Sequence, residues 1–111
     1  KDLLSRGPIN LIPDNLTYNQ ASLAETLGCV INAMDFCRMK SGKTVAIIGA
    51  GYMGCLMISV ARLLGAKKIV MIDKDAKRLK RAEAFGADKY LSTKDINSFV
   101  RLALNEVNNE I

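Results

Sequence analysis

The 111-residue sequence predicts an α/β fold, a doubly wound parallel sheet represented by its first β-α-β-α-β-α half plus a preceding helix. Three observations predict it. Short apolar runs rich in β-branched residues, Val45–Ile48 and Ile69–Ile72, read as buried parallel strands and are too short for helices. An apolar helical stretch, Tyr52 to about Leu64, joins them and stops at Gly65. The junctions Leu64-Gly65-Ala66-Lys67-Lys68-Ile69 and Phe85-Gly86-Ala87-Asp88-Lys89-Tyr90 repeat one device, a glycine closing a helix just ahead of a strand.

In chain order, residues 1–20 read as an irregular lead-in arm. Gly7-Pro8 and Pro13-Asp14-Asn15 are turn signals, and each proline disfavours helix before it. Residues 21–111 then form the domain. From Ala21 to Lys40 the period is helical, with Ala24, Leu27, Gly28, Ile31 and Met34 facing inward and Ser41-Gly42 as the stop. The 52–64 helix is apolar almost all round, Ser59 and Arg62 being its clearly polar members, and so expects cover beyond the sheet. The next helix, Ala76 to Phe85, turns Leu79, Ala82 and Phe85 inward and leads to a short strand, Lys89–Ser92. Ser92 or Thr93 caps a last helix, Lys94 to Asn108, whose inward side carries Ile96, Phe99, Val100, Ala103, Leu104 and Val107. A further parallel strand is expected next. A chain that opens on Lys1 rather than methionine reads as a piece of a longer protein.

Composition narrows the function. The net charge of +5 is concentrated between Lys67 and Arg81, where seven cations face two acids. Such a cluster is either a solvated helix face or a field that draws in an anionic ligand. With three Tyr, three Phe, no Trp and no recognisable motif, nucleic-acid binding is not expected. Nor is a membrane partner, since no apolar run approaches the roughly 18 residues of a spanning helix. Cys29, Cys37 and Cys55 contain no C-x-x-C pair and read as buried free thiols of a reducing, cytoplasmic compartment. Histidine, the commonest general base and metal ligand, is absent, so the main catalytic groups are not expected in this chain.

The chemistry-bearing stretch is Lys43–Asp73. Gly49, Gly51 and Gly54 have the G-x-G-x-x-G spacing between a strand and a helix. Gly49 permits the tight turn, Gly51 lets a pyrophosphate approach the backbone, and Gly54 lets the helix lie close on the sheet. The phosphates would meet the free N–H groups of the first helical turn. Asp73, nineteen residues after Gly54, ends the second strand where a ribose hydroxyl could donate to it. Together these predict a Rossmann-type dinucleotide-binding unit.

The run from Ile12 to Leu91 resembles the zinc-type, medium-chain alcohol and polyol dehydrogenases, in particular the sorbitol and threonine dehydrogenase branch. The resemblance is carried by Pro13-Asp14-Asn15-Leu16-Thr17, Ala24-Glu25-Thr26-Leu27, Ser41-Gly42-Lys43-Thr44-Val45, Arg78-Leu79 with Ala82, and the two Gly-Ala junctions. It implies an NAD-dependent oxidation of an alcohol or polyol by a longer, homo-oligomeric parent, whose catalytic domain and other zinc ligands lie N-terminal to this piece. It further implies that Gly49, Gly51, Tyr52, Met53 and Gly54 form the pyrophosphate turn, with Met53 near the rear of the nicotinamide. Asp73 would hold the adenosine ribose and disfavour NADP, with Lys74 and Arg78 around it. Val30 would face the nicotinamide pocket, and Glu25 would lie at the catalytic zinc. Thr26 departs from the proline usual after that glutamate. Read without the resemblance, Glu25 simply complements a helix dipole. A non-catalytic NAD(H)-sensing module and a methyltransferase-like nucleoside site are the competing functions.

Overall fold

The computed structural model describes Gly7 and residues 9–108, with the side chain of Ile96 set aside. The expectations for Lys1–Arg6, Pro8 and the inward placing of Ile96 lie outside the described residues. A short helix α1 (Tyr18–Ala21) opens the structure, closed by a capping box in which Thr17 and Gln20 bond reciprocally. Helix α2 (Ala24–Phe36), strand β1 (Thr44–Ile48), helix α3 (Tyr52–Leu63) and strand β2 (Lys68–Asp73) follow. Helix α4 (Ala76–Ala82) runs into a 3-10 turn (Glu83–Phe85), and strand β3 (Lys89–Ser92) and helix α5 (Ile96–Asn108) complete the described chain.

The three strands are parallel in the order β1-β2-β3. Alternation along them sorts the helices into two layers. Ile47 of β1 and Ile69 and Met71 of β2 point into a core shared with Val30 and Met34 of α2, Cys55, Ile58 and Ala61 of α3, and Leu79 and Ala82 of α4. The other parity of β2 carries Lys68, Val70 and Ile72, and there α5 packs on β1 and β2. Lys68 and Lys89 both donate to Glu106 of α5, at 2.9 and 2.6 Å, tying that helix to the sheet. The chain thus crosses from β3 back towards β1 on the opposite face from α3 and α4. This reversal is the switch at which doubly wound sheets bind ligands, outside the carboxyl ends of the strands.

Among the described residues, no strand pairs with the outer edge of β1. Gly49 N–H donates to Ile72 O at 2.8 Å, which fixes the parity of the ladder. Val45 and Ile47 therefore point their backbone groups at β2, while those of Ala46 and Ile48 point outward with no strand beside them among the described residues. A groove of about 550 Å³, lined in part by Met34, Cys37, Met39, Ile48 and Met57, runs along this edge.

Several expected details are corrected. Helix α2 turns Leu27, Val30 and Met34 inward, whereas Ala24, Gly28 and Ile31 are exposed. It stops at Phe36, not at Ser41-Gly42, because Arg38 takes the left-handed conformation (φ 54°) that glycine usually supplies. Arg38 N–H then donates to Asp35 O and Met39 N–H to Met34 O, a complete Schellman closure. After α4 the 3-10 turn rotates Phe85 outward, leaving it 46% exposed. Neither Ser92 nor Thr93 caps α5. Asp95 does, accepting from Asn97 N–H and Ser98 Oγ. Val100 and Leu104 of α5 are exposed, and Phe99, Ala103 and Val107 are half-buried. Of the thiols, only Cys55 is buried, and burial pushes it above the ordinary thiol range, outweighing the lowering effect of Arg81. Cys29 and Cys37 are exposed free thiols.

Candidate functional site

The phosphate-handling features converge on the carboxyl end of β1. Gly49 leaves the strand with φ 110°, in the region that disfavours any side chain, so the chain turns at once. Gly51 is the N-cap of α3, and a Cβ there would meet nothing within 4 Å. At Gly54 the opposite holds, since a Cβ would lie 1.8 Å from the carbonyl oxygen of Gly49. The fold itself therefore requires Gly54 bare, while bareness at Gly51 leaves open surface over the turn.

Cys55 N–H donates to Gly51 O, the first bond of α3. The N–H groups of Gly51, Tyr52 and Met53 have no protein acceptor among the described residues. They sit at the positive end of a twelve-residue helix, the arrangement that receives phosphate or carboxylate oxygens. The cavity over them measures about 380 Å³, bordered by Gly49, Gly51, Tyr52, Met53, Gly54 and, from α4, Arg78.

Asp73 is 6% exposed at the end of β2. Its Oδ2 accepts from Ala50 N–H at 2.6 Å and its Oδ1 from Asp75 N–H at 2.7 Å. Burial by itself would raise its pKa. The N–H groups of Ala50 and Asp75, the Arg78 charge and the Lys74 N–H outweigh it and hold the carboxyl below the usual range. Asp73 thus ties the glycine turn to β2, and the carboxylate keeps acceptor capacity for a further donor. Lys74 is exposed directly beyond it. Asp75 caps α4 by accepting from Lys77 and Arg78 N–H, and its Oδ2 lies 3.9 Å from Arg78 Nε.

Two expected site residues lie apart from this turn. Val30 has no exposed surface and packs in the core. Glu25 is exposed in the first turn of α2. No three His, Cys, Asp or Glu side chains among the described residues gather closely enough to hold a metal ion. The described residues therefore do not fit a zinc site by themselves.

Asp88 was not singled out from the sequence, although it positions the helix that carries the turn. Its Oδ2 accepts from Ile69 N–H at 2.7 Å and from Arg62 of α3 at 3.0 Å, and Arg62 also donates to Gly86 O. The Ile69 bond, aided by Arg62, holds the Asp88 carboxyl below its ordinary pKa despite partial burial. The available signal was the aspartate that ends Gly-Ala-Asp where the first junction has lysine.

This fold and turn define a class, the nucleotide-binding α/β units with a glycine-rich strand-to-helix turn. Comparison with known proteins narrows it. The chain is 33% identical over 85 residues to sorbitol dehydrogenase of Bacillus subtilis, covering 77% of this chain and 24% of that protein. Alcohol dehydrogenase TADH from Thermus sp. ATN1 superposes with a TM-score of 0.76 at 34% identity, over 90% of this chain and 29% of that one. A protein of zinc-binding dehydrogenase type from Sinorhizobium meliloti 1021, solved with NADP bound, gives 0.67 at 33% identity, over 73% of this chain and 24% of that one. No family model matches the chain. The chain spans about a quarter of the length of the curated relatives it matches. Over that quarter, sequence and fold place it in the zinc-type alcohol and polyol dehydrogenase family.

Proposed function

We propose that this chain is the coenzyme-binding part of an NAD-dependent, zinc-type alcohol or polyol dehydrogenase, and that it holds the pyrophosphate and adenosine of NAD. One observation carries the reading: free N–H groups at Gly51, Tyr52 and Met53 open onto a cavity that a bare Gly51 leaves unfilled. Gly49 and Gly54 shape that turn, Met53 borders the nicotinamide side, and Asp73 offers its spare lone pairs to the adenosine ribose between Lys74 and Arg78. NAD, when bound, supplies the hydride acceptor. The chain's own residues bind and orient it. Glu25 would contribute one carboxylate towards a zinc whose other ligands lie outside the described residues.

In this reading residues 1–20 are the lead-in arm and residues 21–111 the partial nucleotide-binding domain of a cytoplasmic, homo-oligomeric parent acting on a small alcohol or polyol. The three free thiols support a reducing compartment. An NMR titration with NADH, and separately with S-adenosylmethionine, tests the reading. Shifts confined to Gly49–Gly54 and Asp73–Arg78 with NADH are expected. Binding of S-adenosylmethionine without NADH would replace the dehydrogenase reading with a nucleoside site. NADH binding by a full-length parent that oxidises no alcohol or polyol would favour the sensing module.

A further inference from the structure

Every residue from Ile9 to Gln20 is exposed. The run includes Ile9, Leu11, Ile12, Leu16 and Tyr18, with Leu11 96% exposed. Residues 9–13 form neither helix nor strand, and the first backbone bond of this arm runs from Leu16 N–H to Pro13 O at 3.0 Å. The backbone groups of Ile9–Ile12 have no protein partner among the described residues, so moving this segment breaks no backbone bond.

The β1 edge lacks what the arm can supply. Ala46 and Ile48 turn their N–H and C=O groups outward, and the groove beside them presents Met34 and Met57. Its charged lining residues are Arg38 and Lys43, and no acid lines it. Between Ile9 and Gln20 the single charged residue is Asp14. An apolar segment thus matches an apolar groove, and one acid matches two cations. The backbone fits as well. With Ile12 opposite Ala46 and Asn10 opposite Ile48 in an antiparallel pair, both outward residues of β1 gain a partner. Pro13 then falls opposite Val45, whose backbone groups face β2, so its missing N–H is not needed. Leu11 falls opposite Ile47, on the sheet face that packs with Met34 and Met57. Asp14 comes to the Lys43 end of the groove.

The arm sits at the N-terminal end of α2, where it shares a cavity with Ala21, Ser22 and Ala24. Arg38 and Lys43 lie beyond the other end of that thirteen-residue helix, about 20 Å away at 1.5 Å per residue. The arm that meets them is therefore a neighbour's. We propose that in the 111-residue chain the β1 edge is taken by the arm of a second copy, Ile9–Ile12 pairing antiparallel with β1 and Asp14 meeting Lys43 and Arg38. Reciprocal exchange uses both arms and both edges and closes as a two-fold dimer. The inference is independent of the coenzyme reading.

Sedimentation of the 111-residue chain over a concentration series, with amide exchange followed by NMR, tests it. A monomer–dimer equilibrium is expected with a dissociation constant on the order of 100 µM, as suits a small interface. The Ala46 and Ile48 amides should gain protection as the dimer fills. Leu11→Lys and Asn10→Pro, both in exposed irregular chain, should each weaken dimerisation by about tenfold or more, the second by removing a backbone donor. Asp14→Lys should weaken it too, and adding Lys43→Asp should restore it. A chain that stays monomeric at about 1 mM would overturn the proposal. So would a dimer indifferent to the arm substitutions, which would mean that β1 pairs with β1 of the other copy. Protection of Ala46 and Ile48 that does not change with concentration would also overturn it, because the arm would then be folding onto its own edge.

Discussion

Replacing Asp73 with alanine should destabilise the fold, whatever its effect on a ligand. The side chain is 6% exposed and accepts two short backbone bonds, from Ala50 N–H at 2.6 Å and Asp75 N–H at 2.7 Å. A hydrogen bond to a charged group contributes about 1.5–3 kcal/mol, and removing one partner strands the other. Two such bonds, with partial rescue by entering water, give an expected loss of about 3 kcal/mol, or a fall in Tm of roughly 12 °C for a chain of this size. Urea unfolding followed by circular dichroism at pH 7 measures it, and Asp73→Asn separates charge from shape. The asparagine variant should also lose stability, because its amide can accept from one of the two N–H groups and not from both. The pH dependence gives an independent handle. The folded pKa of Asp73 is depressed, so its stabilisation is complete above the unfolded value of about 3.9 and is lost as pH falls through the folded value. Wild type and Asp73→Ala should therefore converge in acid. A loss below about 1 kcal/mol at pH 7, or a constant gap down to acid pH, would refute the claim that Asp73 anchors the glycine turn.

Gly51 and Gly54 should respond in opposite ways. Gly51→Val should leave the circular dichroism spectrum and Tm nearly unchanged while abolishing NADH binding, since a Cβ there meets only open space over the turn. Gly54→Ala should cost about 3 kcal/mol or more of stability, because the new methyl would sit 1.8 Å from a backbone oxygen that cannot swing away. Glu106 carries a pH-dependent clamp. Hydrogen bonds from Lys89 and Lys68 depress its pKa, so the docking of α5 should be intact above the unfolded glutamate value and weaken as pH falls through the folded one. Amide exchange in α5 rising in acid for wild type, and already raised at pH 7 in Glu106→Gln, is the expected result.

The glycine turn and the two strands that frame it were legible because their constraints are local. A β-branched run, three glycines at fixed spacing and an acid at the next strand's end each have one mechanical meaning, and the sequence shows all of them within Val45–Asp73. What could not be read depends on tertiary packing. Helix α2 has apolar residues on most of its circumference, so its inward face is set by how it meets α3. Its end at Arg38 uses a left-handed arginine, for which no sequence rule gives warning. Asp95 outcompetes Thr93 as the cap of α5 by reaching both Asn97 N–H and Ser98 Oγ. Asp88 was invisible as a positioning residue because its two partners, Ile69 and Arg62, are 19 and 26 residues away.

The open edge of β1 bears on how the chain behaves in solution. Outward backbone groups at Ala46 and Ile48, flanked by an apolar groove, form a template on which any extended segment can pair, a further copy included. No proline or inward-pointing charge within Thr44–Ile48 blunts that edge. Protection falls to long-range repulsion from the net charge of +5. That protection is colloidal rather than structural. It fades as pH climbs towards the isoelectric point near 9.3, and added salt screens it long before the fold itself is disturbed.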